Sequence, residues 1–490
     1  MAAHADFLIQ NAEIADGTGK PRFSADVAVI GDRIALVGDG TGWTADTVID
    51  ASGLVVTPGF IDTHTHDDRM MLSDGEMLPK VSQGVTTVVA GNCGISLAPT
   101  PRPMKAPITP PLNLLDSEGK WFAHPTFASY VQALEHAAPA TNSALLVGHT
   151  TLRIAVMPES EYARPATADE IETMKELLRD AMQAGAIGLS TGLAYEPAIA
   201  STTDEIIELA KVAAEFGGIY CTHLRNESDD IIEALEEAFL IGREAGLPVV
   251  ISHHKVAGKE NFGRSTETLA LIEKQMAVQE ICLDCYPYAA SSTVLTAKNA
   301  ASALKVLVTW SHSHPDMAGR DLADIQKEWE CSQEEAVKRL SPAGAIYHRM
   351  DEDDVSRILA FDETMIGSDG LPHDEVPHPR LWGSFPRVLG HYSRELGLFS
   401  FEKAVRKMTA LSAEKFGLKD RGVVREGAYA DLVLLNAEKV AEGSSFARPV
   451  GLSIGIEAVM VNGRFVWQNG ETTSMRPGRV LRRAGVSLSQ

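Results

Sequence analysis

His64, His66, Cys93, His223, His253 and Asp369 each stand near the end of an apolar run. Imidazole, thiolate and carboxylate groups are the usual ligands of a transition metal, and such a metal activates water for hydrolysis. The clearest spacing is His64-Thr65-His66. Side chains alternate along a strand, so residues i and i+2 face one side and can chelate one ion. Alone, a His-x-His is a weak signal. Here Pro58-Gly59-Phe60-Ile61-Asp62 precedes it, and the later histidines and Asp369 add to it. His253 and His254 compete for one inward place, because alternation sends neighbours to opposite faces.

The elements that would gather these groups are eight β-rich runs: Val55–His66, Val85–Cys93, Ser143–His149, Ala186–Thr191, Gly218–Arg225, Pro248–Lys255, Ile281–Tyr288 and Met365–Asp369. Amphipathic stretches separate them. Residues 168–185 have helical period behind a capping box of Thr167 and Glu170; Thr202 with Glu205 repeats the device. Residues 229–244 form a third helix, closed by Gly246. Strands alternating with helices imply a parallel sheet, and eight imply an α/β fold of the (β/α)8 TIM barrel type, whose sites lie at the carboxyl ends of the strands. Both termini read as hairpins instead, with Gly31-Asp32 and Asn462-Gly463 between apolar runs. We expect a small β-sandwich domain built from 1–56 and 420–490, and a barrel over 57–419. Residues 296–360 exceed a normal βα connection and read as an insertion over the barrel mouth.

Composition narrows the function classes. Hydrophobic residues are 44% and charged residues 22%, as in a globular domain. No apolar run approaches the ~18–20 residues of a membrane helix. The net charge of −22 disfavours nucleic acid. Five cysteines are sparse and odd in number, and Met1–Gln10 has no signal-peptide pattern, so the expectation is a cytoplasmic protein. The expected partner is a small-molecule substrate.

The run Thr57-Pro-Gly-Phe-Ile-Asp-Thr-His-Thr-His66 resembles the opening of the amidohydrolase superfamily, metal-dependent hydrolases on a (β/α)8 barrel with an added β-sandwich. Within it the chain resembles the N-acyl-D-amino-acid deacylases, or D-aminoacylases. The matching runs are Gly91-Asn-Cys-Gly94, Gly148-His-Thr-Thr-Leu-Arg153, Cys221-Thr-His-Leu-Arg-Asn-Glu227, Ile251-Ser-His-His-Lys255, Asp284-Cys-Tyr-Pro-Tyr288 and Gly367-Ser-Asp-Gly370. The generic superfamily lysine that bridges two metals has no counterpart in Ala186-Ile-Gly-Leu-Ser190; Cys93 replaces it, as in the deacylase branch, and a thiolate favours Zn²⁺.

The resemblance implies a tight zinc on Cys93, His223 and His253, and a second, weaker metal on His64, His66 and Asp369. It favours His253 over His254. It makes Asp369 the proton carrier, and it gives Lys255, Tyr286 and Arg380 the substrate carboxylate. The implied reaction is hydrolysis of N-acyl-D-amino acids. Ala194, Tyr195, Lys298, Tyr347 and Met350 hold pocket positions by the same resemblance. The apolar ones among them suggest neutral or hydrophobic side chains; Lys298 keeps a D-glutamate or D-aspartate substrate open. The alternative within the superfamily is a cyclic amide or isoaspartyl-type dipeptide hydrolase. Remaining signals read blandly: Cys282-x-x-Cys285 has no second pair, His149 at a strand end reads either as a support of the site or as without a role, and His312, His314, His373 and His378 read as lid surface.

Overall fold

The computed structural model describes residues 3–483. Eight parallel strands form the barrel: β1 (Phe60–Asp62), β2 (Val85–Ala90), β3 (Asn142–Gly148), β4 (Gly188–Gly192), β5 (Ile219–His223), β6 (Val249–Ile251), β7 (Ile281–Cys285) and β8 (Thr364–Ile366). Each neighbours the next in sequence. Closure between β8 and β1 uses isolated bonds: Thr63 N donates to Ile366 O at 3.3 Å, and Asp369 N to His64 O at 2.7 Å. The eight strands fall within the eight runs read from the sequence, give or take a residue at β3, β4 and β8. Their inward side chains, including Ile61, Val89, Leu146, Val250 and Met365, pack with Leu411, Phe416 and Leu418. Cys221 and Cys282 belong to this same interior cluster, whereas Cys285 lies in the layer between strands and helices.

Helices Ala168–Gln183, Thr203–Glu215, Ile231–Ala245 and Ser265–Met276 pack in succession around the outside. Thr167 and Glu170 form the complete capping box. Thr202 accepts from Glu205 N, but the Glu205 carboxylate does not return to the cap. It instead holds His149 and Arg153 at 2.9 and 2.6 Å. His149, read as a strand end, is the first residue of the helix His149–Val156, and this buried triad is what it serves.

The first expected strand divides. Val55–Pro58 belongs to a nine-stranded sheet of the two termini, and only Phe60–Asp62 enters the barrel. The join is Gly59, where a Cβ would stand 2.1 Å from Thr86 Oγ1. In the terminal sheet His4–Ile14 pairs with Phe23–Ile30 on one side, and with Thr44–Asp50 and Val55–Pro58 on the other. Val55–Pro58 then pairs with Leu432–Leu435, joining the two ends of the chain. Asn462 and Gly463, at φ 47° and 75°, make the expected tight hairpin between Val461 and Arg464. This sheet has its own core of Ile9, Ile14, Val27, Val56, Leu432 and Met460. One C-terminal piece departs from it: Val480–Leu481 pairs with Ser143 and Ala144 of β3.

The insertion is a three-stranded antiparallel sheet, Ala290–Val294, Lys305–Ser311 and Ala343–His348, with the helices Leu322–Glu328 and Gln333–Leu340. It has its own apolar cluster around Val308, Leu322, Ile325, Val337 and Leu340. It therefore starts at Ala290 rather than 296, because the polar run Ser291-Ser292-Thr293 hides a strand. It ends before residue 352: Glu352–Ala360, capped by Asp351, packs on Ser265–Met276 and the barrel strands. Among the described residues no helix is long and apolar enough to cross a membrane.

Candidate active site and metal centre

The carboxyl ends of the strands bring all six expected metal ligands together, each buried. Cys93 is central. Its Sγ lies 3.2 Å from His64 Nε2, 3.2 Å from His253 Nε2 and 3.7 Å from His223 Nδ1. Asp369 Oδ1 lies 3.2 Å from His66 Nε2 and 3.6 Å from His64 Nε2. Donor atoms within 4.8 Å of one another form two sets, His64–Cys93–His253–Asp369 and His223–Glu227–His253. The expected tight trio spans both sets, and Cys93 touches both of its histidines. A soft thiolate with imidazoles suits zinc, and a hard carboxylate at one side suits a second, weaker ion.

The backbone bends to present these groups. Cys93, His253 and Asp369 have φ of 51°, 35° and 51°. Non-glycine residues avoid that region, and it is found where a site demands it. At Gly91 a Cβ would meet Leu146 O at 2.2 Å, so the turn that aims Cys93 requires glycine. His254 faces away, with Nε2 on Thr268 Oγ1 at 2.9 Å, and burial pushes it down to about 4. Of the two neighbours, His253 is the one that faces Cys93.

The charges are coupled. Burial pushes the Cys93 thiol up, yet His64 and His253 outweigh it and hold the thiol well below its ordinary value. Burial and Lys255 push His253 down, but Cys93, Glu227 and Asp369 raise it to about 9. His66 also reaches about 9 against its burial, through Asp369 and Cys93. Burial opposes the ionised form of Asp369, and Arg380, then His253, hold it well below the usual carboxylate range.

The three expected substrate residues surround this cluster. Arg380 Nη1 lies 2.7 Å from Asp369 Oδ2, and its guanidinium sits 4.6 Å over the Tyr286 ring. Lys255 Nζ lies 5.8 Å from that ring centre. Arg380 begins the helix Arg380–Arg387 and is not in a loop. His378, expected on the lid surface, is buried: its Nδ1 accepts from Arg380 N at 3.0 Å and its Nε2 meets Ala290 O. It seats Arg380 against the insertion.

Two carboxylates were not singled out from the sequence. Glu227 Oε1 accepts from Lys255 Nζ at 2.6 Å and lies 3.1 Å from His253 Nδ1; its Oε2 lies 3.6 Å from His223 Nε2. Its spacing four after His223 was the available signal. Asp284 Oδ1 accepts from His253 N at 2.8 Å and lies 3.4 Å from His64 Nδ1.

A chamber of about 20 Å³ lies among His66, Cys93, His253, Lys255 and Asp369. That is room for one water. Pro111, Tyr195, Thr293 and Arg349 border both this chamber and an outer cavity of about 450 Å³. Ala194, Tyr195 and Lys298 line the outer cavity as expected. Tyr347 and Met350 do not: the Tyr347 hydroxyl binds Val294 O, and Met350 Sδ lies against the Tyr286 hydroxyl.

Residues 47–467 match the model of the amidohydrolase family. The chain is 53% identical to D-aminoacylase of Alcaligenes xylosoxydans xylosoxydans, over 98% of both chains. A D-aminoacylase structure, described for a binuclear metal centre with one-metal activation and second-metal attenuation, superposes with a TM-score of 0.95. It shares 54% identity, over 98% of this chain and all of that one. The N-acyl-D-glutamate deacylase of Bordetella bronchiseptica, complexed with zinc and a phosphonate mimic of the tetrahedral intermediate, superposes with a TM-score of 0.94. It shares 45% identity, over 98% of this chain and all of that one. The chain belongs to the amidohydrolase family and, within it, to the D-aminoacylases.

Proposed function

We propose that this protein hydrolyses the amide bond of N-acyl-D-amino acids, giving a carboxylate and a free D-amino acid. The observation that carries the reading is the buried thiolate–imidazole cluster facing Asp369, with Arg380, Tyr286 and Lys255 beside it, in a chain 53% identical to a D-aminoacylase. Cys93, His223 and His253 hold the tight zinc; His64, His66 and Asp369 form the weaker position. When bound, zinc supplies the Lewis acidity that polarises the acyl carbonyl and acidifies water.

The chain supplies the rest. The substrate α-carboxylate meets Lys255, the Tyr286 hydroxyl and Arg380, cation and phenol donors that suit it. Arg380 is shared with Asp369, so an arriving carboxylate draws the guanidinium away and raises the basicity of Asp369. Water in the inner chamber adds to the acyl carbon, and its proton passes to Asp369. Asp369 then protonates the amide nitrogen, the C–N bond breaks, and the amine leaves neutral.

The amino-acid side chain extends towards the outer cavity. Ala194, Tyr195, Ile199, Val294 and Pro110 in its wall support neutral or hydrophobic side chains. Stripping the metal with a chelator should abolish release of D-leucine from N-acetyl-D-leucine, and added zinc should restore it. Full activity in zinc-free protein would contradict the proposal.

A further inference from the structure

The two candidate metal positions differ in what stands behind their imidazoles, and we infer that Glu227 is the positioning residue that makes one of them tight. The inference rests on the deacylase reading and its ligand roles.

His223 turns Nδ1 towards Cys93 Sγ, at 3.7 Å, and Nε2 towards Glu227 Oε2, at 3.6 Å. His253 is reversed: Nε2 lies 3.2 Å from Cys93 Sγ and Nδ1 3.1 Å from Glu227 Oε1. The two rings thus offer opposite nitrogens to the thiolate, and one buried carboxylate faces the far nitrogen of each. An imidazole ligates through a lone pair, so its proton must sit on the other nitrogen; a carboxylate there fixes both tautomer and ring orientation. Glu227 stands in that position for His223 and His253 at once.

Its own place is fixed from two sides. Lys255 Nζ donates to Oε1 at 2.6 Å, and Ala257 N donates to Glu227 O at 2.7 Å. Lys255 Nζ also lies 2.7 Å from His253 Nδ1. That contact is a hydrogen bond only while Nδ1 accepts from Lys255; with zinc on Nε2 the ring proton sits on Nδ1, and Glu227 Oε1 at 3.1 Å is then its acceptor. Glu227 therefore supports the zinc ligands and holds the substrate-binding ammonium in one arrangement.

The other pair is backed on one side alone: Asp284 faces His64, and among the described residues no carboxylate faces the far nitrogens of both rings. His66 Nδ1 is buried without a hydrogen-bond partner. His64 Nδ1 lies 3.4 Å from Asp284 Oδ1, close to the 3.6 Å of Glu227 from His223, but that oxygen already accepts from His253 N. Unequal outer support predicts unequal affinity.

The test is zinc titration of metal-free protein against a chromophoric chelator, comparing wild type with Glu227→Gln. The glutamine keeps the shape and loses the charge that two imidazole protons and Lys255 share. The first zinc should weaken by about 10–100-fold, while the second keeps its wild-type affinity. An unchanged first zinc, or equal weakening of both, overturns the inference. Complete loss of the first zinc also overturns it, by making Glu227 a ligand. If the variant does not fold, ¹⁵N-histidine spectra of zinc-loaded wild type decide: protons on His223 Nε2 and His253 Nδ1 support the inference, and the opposite tautomers refute it. A wild type that binds zinc in two phases yet hydrolyses no N-acyl-D-amino acid would separate failure of the deacylase reading from failure of this one.

Discussion

Asp369 is asked both to take a proton and to give it back, and its surroundings make that role testable. Arg380 at 2.7 Å keeps it ionised, with His66 and His64 on its other oxygen. Asp369→Ala should retain the tight zinc, since Cys93, His223 and His253 remain. It should lower kcat by about 10²–10⁴-fold, the usual contribution of general acid–base catalysis. Retention of more than about a tenth of wild-type kcat would refute the role. A second prediction concerns protons. Without metal, His253 and His66 are held at about 9, so both are protonated at neutral pH. Zinc takes neutral imidazole, so uptake must expel protons, and the apparent affinity should rise as pH rises towards about 9. Calorimetry at neutral pH in buffers of different ionisation enthalpy reads the release; at least one proton per first zinc is expected, and none would contradict the assignment. Much of this site was legible residue by residue, because the histidines, Cys93 and Asp369 sit at strand ends, where period-two geometry and barrel topology converge. Glu227 and Asp284 were not, because their work is to hold other side chains. A carboxylate four residues after a histidine is an ordinary pattern until the fold shows what it faces.

Among the elements, local sequence rules predicted well where they acted alone and less well where tertiary contacts competed. The capping box of Thr167 and Glu170 formed as read. At Thr202 the same pattern formed by half, since burying Arg153 and His149 demanded the Glu205 carboxylate. Burial pushes Glu205 up, but His149 and then Arg153 outweigh it and hold it at about 2. A depressed carboxylate stabilises the fold above its unfolded value of about 4.5, and that stability is lost as pH falls from there towards about 2. Glu205→Gln should cost about 3–5 kcal/mol at neutral pH, because it leaves Arg153 as an uncompensated buried charge. It should also flatten the fall of stability over that acid window. Denaturant unfolding at several pH values measures both, and an unchanged acid slope would show that Glu205 does not carry the charge. The division of the first strand at Gly59 escaped the sequence for a related reason: one continuous apolar run serves two sheets, and the break falls where the Thr86 side chain leaves no room for a Cβ.

Over the whole molecule, the barrel, the terminal sheet and the insertion contribute differently to the site. The barrel carries the six proposed ligands. The terminal sheet meets the barrel through a buried polar network: Asp431 accepts from Asn462 N and pairs with Arg421, and Asn462 Nδ2 donates to Asn142 Oδ1 on β3 at 2.7 Å. The insertion supplies Ser292, Thr293 and Arg349 to the inner chamber, so a segment read as a cover also builds part of the wall. Architecture was legible because eight strand–helix alternations leave few foldings. The insertion's edges were not, because a polar strand and a capped barrel helix flank it and both imitate loop. The D-handedness of the substrate comes from the likeness to the D-aminoacylases. The direct measurement is release of free amino acid from matched N-acetyl-D and N-acetyl-L panels of methionine, leucine, phenylalanine, aspartate and glutamate, with zinc supplied. The account predicts release from the D series alone, fastest for methionine, leucine or phenylalanine. Release from the L series, or none from either with zinc bound, would contradict it.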